Sequence, residues 1–401
     1  MFSQKAGCSP PLFFKAPEQG EADLQNDNNK IGIYIHIPFC KGKCPYCDFY
    51  SLSNDSYIKP YINALTGSFR RWSAKLGRQA DTLYFGGGTP SALGTETLAM
   101  LTRESKLAFN IDDNDLPEIT VECNPSDIGS INSAFDFELL AESGVNRISI
   151  GLQSVADAER SALGRRGPAS DTLRGIEKAK AAGINNISLD IITGLPGQSI
   201  ESLRQTLDFC IQAGVTHISA YILKIEENTP FYTRREKLSL PDENEVCDFY
   251  LLTVRELARG GFEQYEISNF AKKGYESRHN LKYWHCDEYL GLGPSAHSFI
   301  AGRRFYYPRD IQKYIDGGQS VPDGEGGGFE EYAMLRLRLT EGLTNEQTLA
   351  RFGFPVPEPV IERARRFEAD GYLYIDKDGI RLSPEGFLLS NTIINNLLDA
   401  I

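Results

Sequence analysis

Short apolar runs alternate with segments of helical periodicity along the chain from residue 31 onward. The apolar runs predict buried strands at residues 31–37, 82–85, 119–122, 147–150, 186–192 and 217–222. Segments of helical period, such as residues 57–76, fill the intervals between them. Strands that alternate with helices are typical of a parallel sheet whose strands are joined by helical crossovers.

One helix-to-strand turn recurs at residues 141–149, 180–188 and 211–219. In each copy a helical segment meets a glycine, then one apolar residue, two mostly polar residues and a strand. Glycine past a helix end adopts the left-handed conformation that other residues resist. The repetition indicates successive βα units. Because six strands can be counted, we predict an α/β fold with a partial (β/α)6 TIM-like barrel, and a doubly wound open sheet is the alternative.

The pattern changes after Leu240. Residues 243–258 predict a helix, and the loop-rich region 260–328 ends in a glycine-rich segment, 323–328, with the composition of a linker. Further helices at 330–339, 345–352 and 359–369 precede two short strands, at 372–375 and 380–382. An Asp-Gly pair between these strands is a hairpin signal. We therefore predict a small C-terminal winged-helix-like α+β domain that packs against the barrel.

These patterns divide the chain into four predicted parts. They are a flexible leader (1–30), a core barrel (31–240), a connecting region (241–328) and the C-terminal domain (329–401). The leader contains Pro10 and Pro11 and a polar stretch, and it lacks the basic and apolar regions of a secretory signal. No run of the sequence is long and apolar enough for a transmembrane helix.

Charge and cysteine distribution narrow the classes of function. The formal net charge of −12 disfavours nucleic acid as a partner, because an acidic protein repels polyanions. Three of the eight cysteines crowd into residues 40–47 and the others are scattered, which is unlike a secreted disulfide scaffold. We infer a reducing compartment and expect a cytoplasmic protein.

Cys40, Cys44 and Cys47 follow the first predicted strand within one short loop. Thiolates are soft ligands that suit iron–sulfur clusters or zinc. Three thiolates hold three irons of a cubane and leave the fourth iron open. The alternatives are a zinc site with three cysteines and one histidine, or three buried structural thiols.

The spacing Cys40-x3-Cys44-x2-Cys47, after Tyr34-Ile-His-Ile-Pro38, resembles the radical S-adenosylmethionine (SAM) superfamily. The resemblance implies a radical SAM core barrel and a [4Fe–4S] cluster whose open iron chelates SAM and donates the electron that forms a 5′-deoxyadenosyl radical. Gly86-Gly-Gly-Thr-Pro90 and polar residues at the ends of later strands match further motifs, where a barrel builds its site. The implied cofactor-binding residues are Tyr34, Tyr46, Gly87, Gly88, Thr89, Glu122, Gln153, Arg165 and Asp190.

Taken in order, these motifs resemble the coproporphyrinogen dehydrogenase-like branch, in which two kinds of protein compete. The dehydrogenase pattern carries a cysteine two residues past the third cluster ligand, where this chain has Phe49. Arg278-His-Asn-Leu-Lys-Tyr-Trp284 matches the His-Asn-x-x-Tyr-Trp motif of the radical SAM haem chaperone family. Both features favour the haem chaperones.

The resemblance implies that His279, Tyr283 and Trp284 contact haem. Imidazole is a common axial ligand and aromatic rings pack on porphyrin faces, while Arg278 and Lys282 could pair with the propionates. The alternative is that His279 and Asn280 order a loop. Among the other histidines, His285 and His297 are secondary candidates, and His36, inside a strand, is interpreted as structural.

The function that follows is a haem chaperone that binds haem, a [4Fe–4S] cluster and SAM, and delivers haem to apo-haemoproteins such as respiratory-chain components. Such delivery implies peripheral docking at a membrane, and a homodimer is left open. The alternative is an oxygen-independent coproporphyrinogen III dehydrogenase, which decarboxylates its substrate oxidatively to protoporphyrinogen IX. A third possibility is a different radical enzyme with an unknown substrate.

Overall fold

The computed structural model describes residues 30–165 and 167–399. Apart from Lys30, the predicted leader lies outside the described residues. The chain then runs through six strands and the helices between them. The strands are β1 (Ile31–Ile37), β2 (Ala80–Gly87), β3 (Glu118–Cys123), β4 (Arg147–Gln153), β5 (Asn186–Thr193) and β6 (His217–Ile222). The helices are α1 (Ile58–Leu76), α2 (Thr95–Ala108), α3 (Pro125–Ile128), α4 (Phe137–Glu142), α5 (Asp157–Ala162), α6 (Ser170–Ala181) and α7 (Ile200–Gln212).

The six strands are all parallel and lie side by side in chain order, β1 to β6. A doubly wound sheet would reverse its strand order, so the partial barrel is confirmed and that alternative is wrong. Helices cover the sheet: α1 buries Tyr61, Leu65 and Phe69, spaced four residues apart, and ends at Gly77 in the left-handed region with φ 59°. β1 is buried over nearly its whole length, which explains its unbroken apolar sequence.

The region predicted to be rich in loops instead extends the sheet at both sides. After α8 (Pro230–Arg234) and α9 (Glu243–Arg259), the chain forms short elements. They are β7 (Glu263–Gln264), β8 (Asn269–Ala271), α10 (Arg278–Trp284), β9 (Tyr289–Leu292), β10 (His297–Ile300), β11 (Arg303–Tyr306), α11 (Ile311–Ile315) and β12 (Val321–Glu325). The predicted linker at 323–328 was therefore wrong in part, because β12 is an edge strand. Strands of two to five residues leave no readable period in the sequence.

The full sheet within the described residues has twelve strands in the order β12-β11-β10-β9-β1-β2-β3-β4-β5-β6-β8-β7. β9 adds to β1 in parallel, and β8 adds to β6 in the antiparallel direction. The long segment between β8 and β9 carries α10 beneath the amino ends of the central strands. This connection brings the His-Asn-x-x-Tyr-Trp motif into the barrel.

The remaining elements form a small unit with its own antiparallel sheet, in the order β13-β15-β14. They are α12 (Phe329–Arg336), β13 (Leu343–Thr344), α13 (Asn345–Phe352), α14 (Glu358–Ala369), β14 (Leu373–Asp376), β15 (Gly379–Leu382), α15 (Pro384–Leu388) and α16 (Ser390–Leu398). Its apolar core is continuous with Tyr250, Cys286 and Phe299 of the preceding region. The predicted packing against the barrel is thus observed. Among the helices described, none has the length and apolar character to cross a membrane.

Candidate functional site

A loop bearing Cys40, Cys44 and Cys47 crosses the carboxyl end of the strands, which we call the open end of the barrel. The N–H of Cys40 donates to the Leu52 carbonyl at 3.0 Å, and the N–H of Cys47 donates to the Cys44 carbonyl at 3.1 Å. The Sγ of Cys40 lies 3.2 Å from the Oγ1 of Thr89. All three cysteines line a single cavity of about 470 Å³.

The donor set suits a [4Fe–4S] cluster, because three cysteine thiols line one cavity and a cubane binds each thiolate through a different iron. Burial raises the pKa of the Cys40 and Cys47 thiols, and cluster iron would offset this cost by binding them as thiolates.

The glycine segment after β2 packs directly against the cysteine loop. The N–H of Gly88 donates to the Ile37 carbonyl at 2.9 Å, and the N–H of Thr89 donates to the Phe39 carbonyl at 2.7 Å. Gly87 has φ 110°, and a Cβ there would lie 2.4 Å from the ring of His36. Because a side chain would not fit at this position, only glycine allows the two loops to pack this closely.

Glu122 faces the cavity from the end of β3. Its Oε1 accepts a hydrogen bond from the Tyr84 hydroxyl at 2.9 Å, and its Oε2 accepts one from the Gly87 N–H at 3.1 Å. Burial, followed by the nearby Asp190 charge, raises the pKa of Glu122 to about 7. A cationic ligand in the cavity would favour the ionised carboxylate.

Three more predicted residues line the cavity, at the end of β4, after α5 and along β5. Gln153 has φ 69°, a left-handed conformation that is uncommon outside glycine and that recurs at functional sites. The Nη2 of Arg165 donates to the Gly151 carbonyl at 2.6 Å. Asp190 accepts from the Ser149 hydroxyl at 2.9 Å, and burial raises the pKa of its carboxyl. Tyr46, Gly87, Gly88 and Thr89 line the same cavity.

The cavity also contains residues that the sequence did not single out. Arg147 is 2% exposed and lines the cavity, and its Nε has no hydrogen-bond partner in the described residues. It begins β4 within the repeated helix-to-strand turn, and an arginine inside an apolar run was the signal that could have identified it. The other unpredicted lining residues include Tyr84, Ser149, Ser219, Tyr221 and Lys224.

The motif predicted to bind haem lies at the amino end of the strands, which we call the closed end. His279 is 1% exposed, its Nδ1 lies 2.8 Å from the Thr82 hydroxyl, and its Nε2 lies 2.8 Å from the Tyr283 hydroxyl. Glu118 accepts hydrogen bonds from the N–H groups of Arg278 and His279 at 2.9 and 3.0 Å. In this arrangement both ring nitrogens of His279 have hydrogen-bond partners, and the contact of His279 and Tyr283 with haem stays a prediction.

The other residues of the motif are similarly engaged. Lys282 forms an ion pair with Asp81 at 2.9 Å and is buried, so it is not placed to meet a propionate. Trp284 is half-buried and lies outside the cavity lining. Asn280 is the residue of the motif that reaches the cavity. The motif itself forms the helix α10.

An aromatic stack connects the closed end to the site. Tyr34 and His279 both stack with Tyr84, at ring-centroid distances of 6.1 and 5.2 Å, and Tyr84 holds Glu122. The Tyr34 hydroxyl lies 3.1 Å from the Nδ1 of His36, whose Nε2 contacts the Tyr50 carbonyl at 2.9 Å. Tyr34 was predicted to bind a cofactor, but it is absent from the described lining of the cavity. It stacks on Tyr84, which does line the cavity.

Comparison with known proteins agrees with this arrangement. Residues 34–210 match the model of the radical SAM superfamily, and residues 329–389 match that of the HemN C-terminal domain. The chain is 33% identical to "Heme chaperone HemW" of Bacillus subtilis (strain 168), over 91% of this chain and 98% of that protein. It is also 33% identical to "Heme chaperone HemW" of Escherichia coli (strain K12), over 92% and 98%.

Among solved structures, coproporphyrinogen III oxidase (HemN) from Escherichia coli, a radical SAM enzyme, is similar with a TM-score of 0.78. The match covers 92% of this chain and 90% of that one at 20% sequence identity, so it establishes the fold alone. The superfamily implies a [4Fe–4S] cluster and SAM, which suit the cysteine loop and the polar cavity. The extent and identity of the curated matches show that the chain belongs to the heme chaperone HemW family of the radical SAM superfamily.

Proposed function

We propose that the chain is a haem chaperone that binds haem and delivers it to apo-haemoproteins. The observation that carries this proposal is Phe49, which occupies the position where the dehydrogenase pattern has a cysteine. Phenylalanine supplies neither a thiol nor a proton. The relatives named as heme chaperones, aligned over nearly their whole length, support the same function. We expect no coproporphyrinogen III dehydrogenase activity.

In this proposal Cys40, Cys44 and Cys47 hold a [4Fe–4S] cluster, and SAM occupies the adjoining cavity. When bound, the cluster supplies the electron needed to cleave SAM. Glu122 and Asp190 would provide negative charge to a cationic cofactor, and Gly87 and Gly88 would allow close approach of the backbone. The remaining proposed cofactor-binding residues are Tyr46, Thr89, Gln153 and Arg165.

The recipients of the haem are proposed to be apo-haemoproteins such as respiratory-chain components, reached by peripheral docking at a membrane from the cytoplasm. A homodimer is compatible with this proposal. Haem and recipient haemoproteins are inferred from the relatives' name, heme chaperone. The respiratory chain, membrane docking and a homodimer rest on the family resemblance alone, and the acidic net charge of −12 supports the exclusion of nucleic acid.

The test is an anaerobic titration of the cluster-reconstituted protein with haem, followed by optical spectroscopy. The same preparation is incubated with coproporphyrinogen III, SAM and a reductant, and decarboxylated product is measured. Saturable haem binding without product supports the chaperone. Product with stoichiometric 5′-deoxyadenosine and no haem binding would establish the alternative, an oxygen-independent coproporphyrinogen III dehydrogenase.

A further inference from the structure

Three large apolar side chains are exposed together at the open end of the barrel. Phe49, on the cysteine loop, is 67% exposed, and Tyr221 and Ile222, which end β6, are 44% and 38% exposed. All three line the cavity that also contains the cysteine thiols. We call these three residues the mouth. Single exposed apolar residues are ordinary, but a group that converges on one cavity indicates contact with a ligand.

The members of the mouth come from opposite ends of the parallel strand series. Phe49 follows β1, the first strand, whereas Tyr221 and Ile222 belong to β6, the last. The cavity between them therefore has an apolar surface on two sides and polar groups below. A ligand with a broad apolar body would gain contact with both sides at once.

One lysine beside the mouth can meet an anionic group. Lys43 is exposed and has no ion pair in the described residues, whereas Lys224 pairs with Glu226 at 2.7 Å, and both lysines line the cavity. Asp48 pairs with Arg309 at 3.1 Å. The other acids of the lining, Glu122 and Asp190, accept hydrogen bonds from Tyr84 and Ser149. A carboxylate at the mouth can therefore pair with Lys43, and with Lys224 in competition with Glu226.

We propose that haem binds at the mouth, with its macrocycle between Phe49 and the end of β6 and its two propionates toward Lys43 and Lys224. The inference rests on the proposed haem-chaperone function and names its binding site. No histidine is present among the described residues that line the cavity. The porphyrin is therefore held by its faces and its carboxylates, without an imidazole–iron bond. Release to a recipient then requires no coordinate bond from the protein to break.

The first experiment compares three ligands with the reconstituted wild-type protein under anaerobic conditions. They are haem, metal-free protoporphyrin IX and the dimethyl ester of protoporphyrin IX. We expect the metal-free acid to bind within about threefold of haem, and the ester to bind about tenfold more weakly because it lacks both charges. Binding of haem with no binding of the metal-free acid would overturn the proposal, since it would show that iron coordination dominates.

The second experiment compares variants by haem titration. Phe49→Ala and the double variant Lys43→Ala/Lys224→Ala should each weaken haem binding about tenfold. Ile131→Ala and Lys59→Ala, at exposed positions outside the cavity, are the matched controls and should bind as wild type does. The cluster absorbance and SAM affinity of each variant verify that the loop remains intact.

The outcomes separate the site from the function. If the wild type binds no haem, the proposed function fails and this inference fails with it. If the wild type binds haem and the mouth variants match Ile131→Ala, the function stands and the mouth is excluded as the site. Weaker binding in the mouth variants, with unchanged binding in His279→Gln, supports the proposal.

Discussion

At the closed end of the barrel the ring nitrogens of His217 and His279 are all hydrogen-bonded within 2.8 Å. At the open end the side chains of Gln153 and Arg165 face a cavity, and Phe49 is exposed. Both ends contain residues with the chemistry to bind a ligand. The comparison shows that residue type alone does not decide whether a side chain can bind a ligand. A group whose donors and acceptors are already hydrogen-bonded in a close-packed interior has no polar atom free for a ligand.

The largest expected effect concerns the open end. Cys44→Ala should abolish the cluster absorbance and brown colour of the reconstituted protein, because two thiolates hold a cubane poorly. Cys247→Ala, in α9 and outside the cavity, is the control and should keep the cluster. The measurements are iron content and the optical spectrum. Full absorbance in Cys44→Ala would show that the ligands are misassigned.

The closed end should respond through stability. His279→Ala removes a buried ring and two side-chain hydrogen bonds, and should lower the free energy of unfolding by about 2–4 kcal/mol. It should also weaken SAM binding, because the ring stacks on Tyr84, which holds Glu122. Denaturant titration measures the first effect. His285→Ala is the partly exposed control, with an expected change within about 0.5 kcal/mol.

The haem affinity of the same variant, His279→Ala, tests which end of the barrel binds haem. At equal amounts of folded protein, His279→Ala should bind haem with wild-type affinity. A selective loss of haem affinity, with SAM affinity and stability unchanged, would instead assign haem binding to the motif at the closed end.

The pH dependence of SAM binding should follow Glu122. The pKa of its carboxyl is raised to about 7, so below that pH a cationic ligand must displace a proton before it meets a carboxylate. Affinity should therefore fall by up to about tenfold per pH unit below the pKa and level off above it. Equilibrium binding at several pH values tests this. Glu122→Gln should bind more weakly with a flatter profile, and a slope retained in that variant would implicate another group.

The smallest expected effect is a difference in the free energy of unfolding between variants of two threonines on adjacent strands. Thr82→Val removes the partner of the His279 Nδ1 and should cost about 1 kcal/mol in the free energy of unfolding. Thr120 is fully buried and its hydroxyl has no hydrogen-bond partner in the described residues. Thr120→Val should therefore be neutral or stabilising. Equal losses in both variants would mean that the hydrogen bond to His279 contributes little.

The parallel strands were predictable because each is a short apolar run next to a helix of clear period. The predicted ranges at 31–37 and 217–222 coincide with β1 and β6. The strands β7 to β12 were missed because each has only two to five residues, and β9 in addition pairs with the distant β1. Such short segments form strands only once the barrel offers a strand to pair with.

Site residues at strand ends were predictable for the same reason, since parallel strands bring their carboxyl ends together. Glu122 and Asp190 are examples. The position of α10 was not predictable, because the sequence of a motif does not say which end of a barrel it occupies. His279 looked like a ligand by type, and the partners that satisfy it, Thr82 and Tyr283, become neighbours through the fold.

β12, the segment with the composition of a linker, lies at one edge of the sheet, and all five of its residues are exposed. Pro322 offers no N–H to an incoming strand, and Asp323 and Glu325 would face like charges on a second copy placed edge to edge. The opposite edge, β7, has two residues. These features disfavour edge-to-edge pairing of the sheets of two copies, so we expect association between copies to use other faces of the molecule.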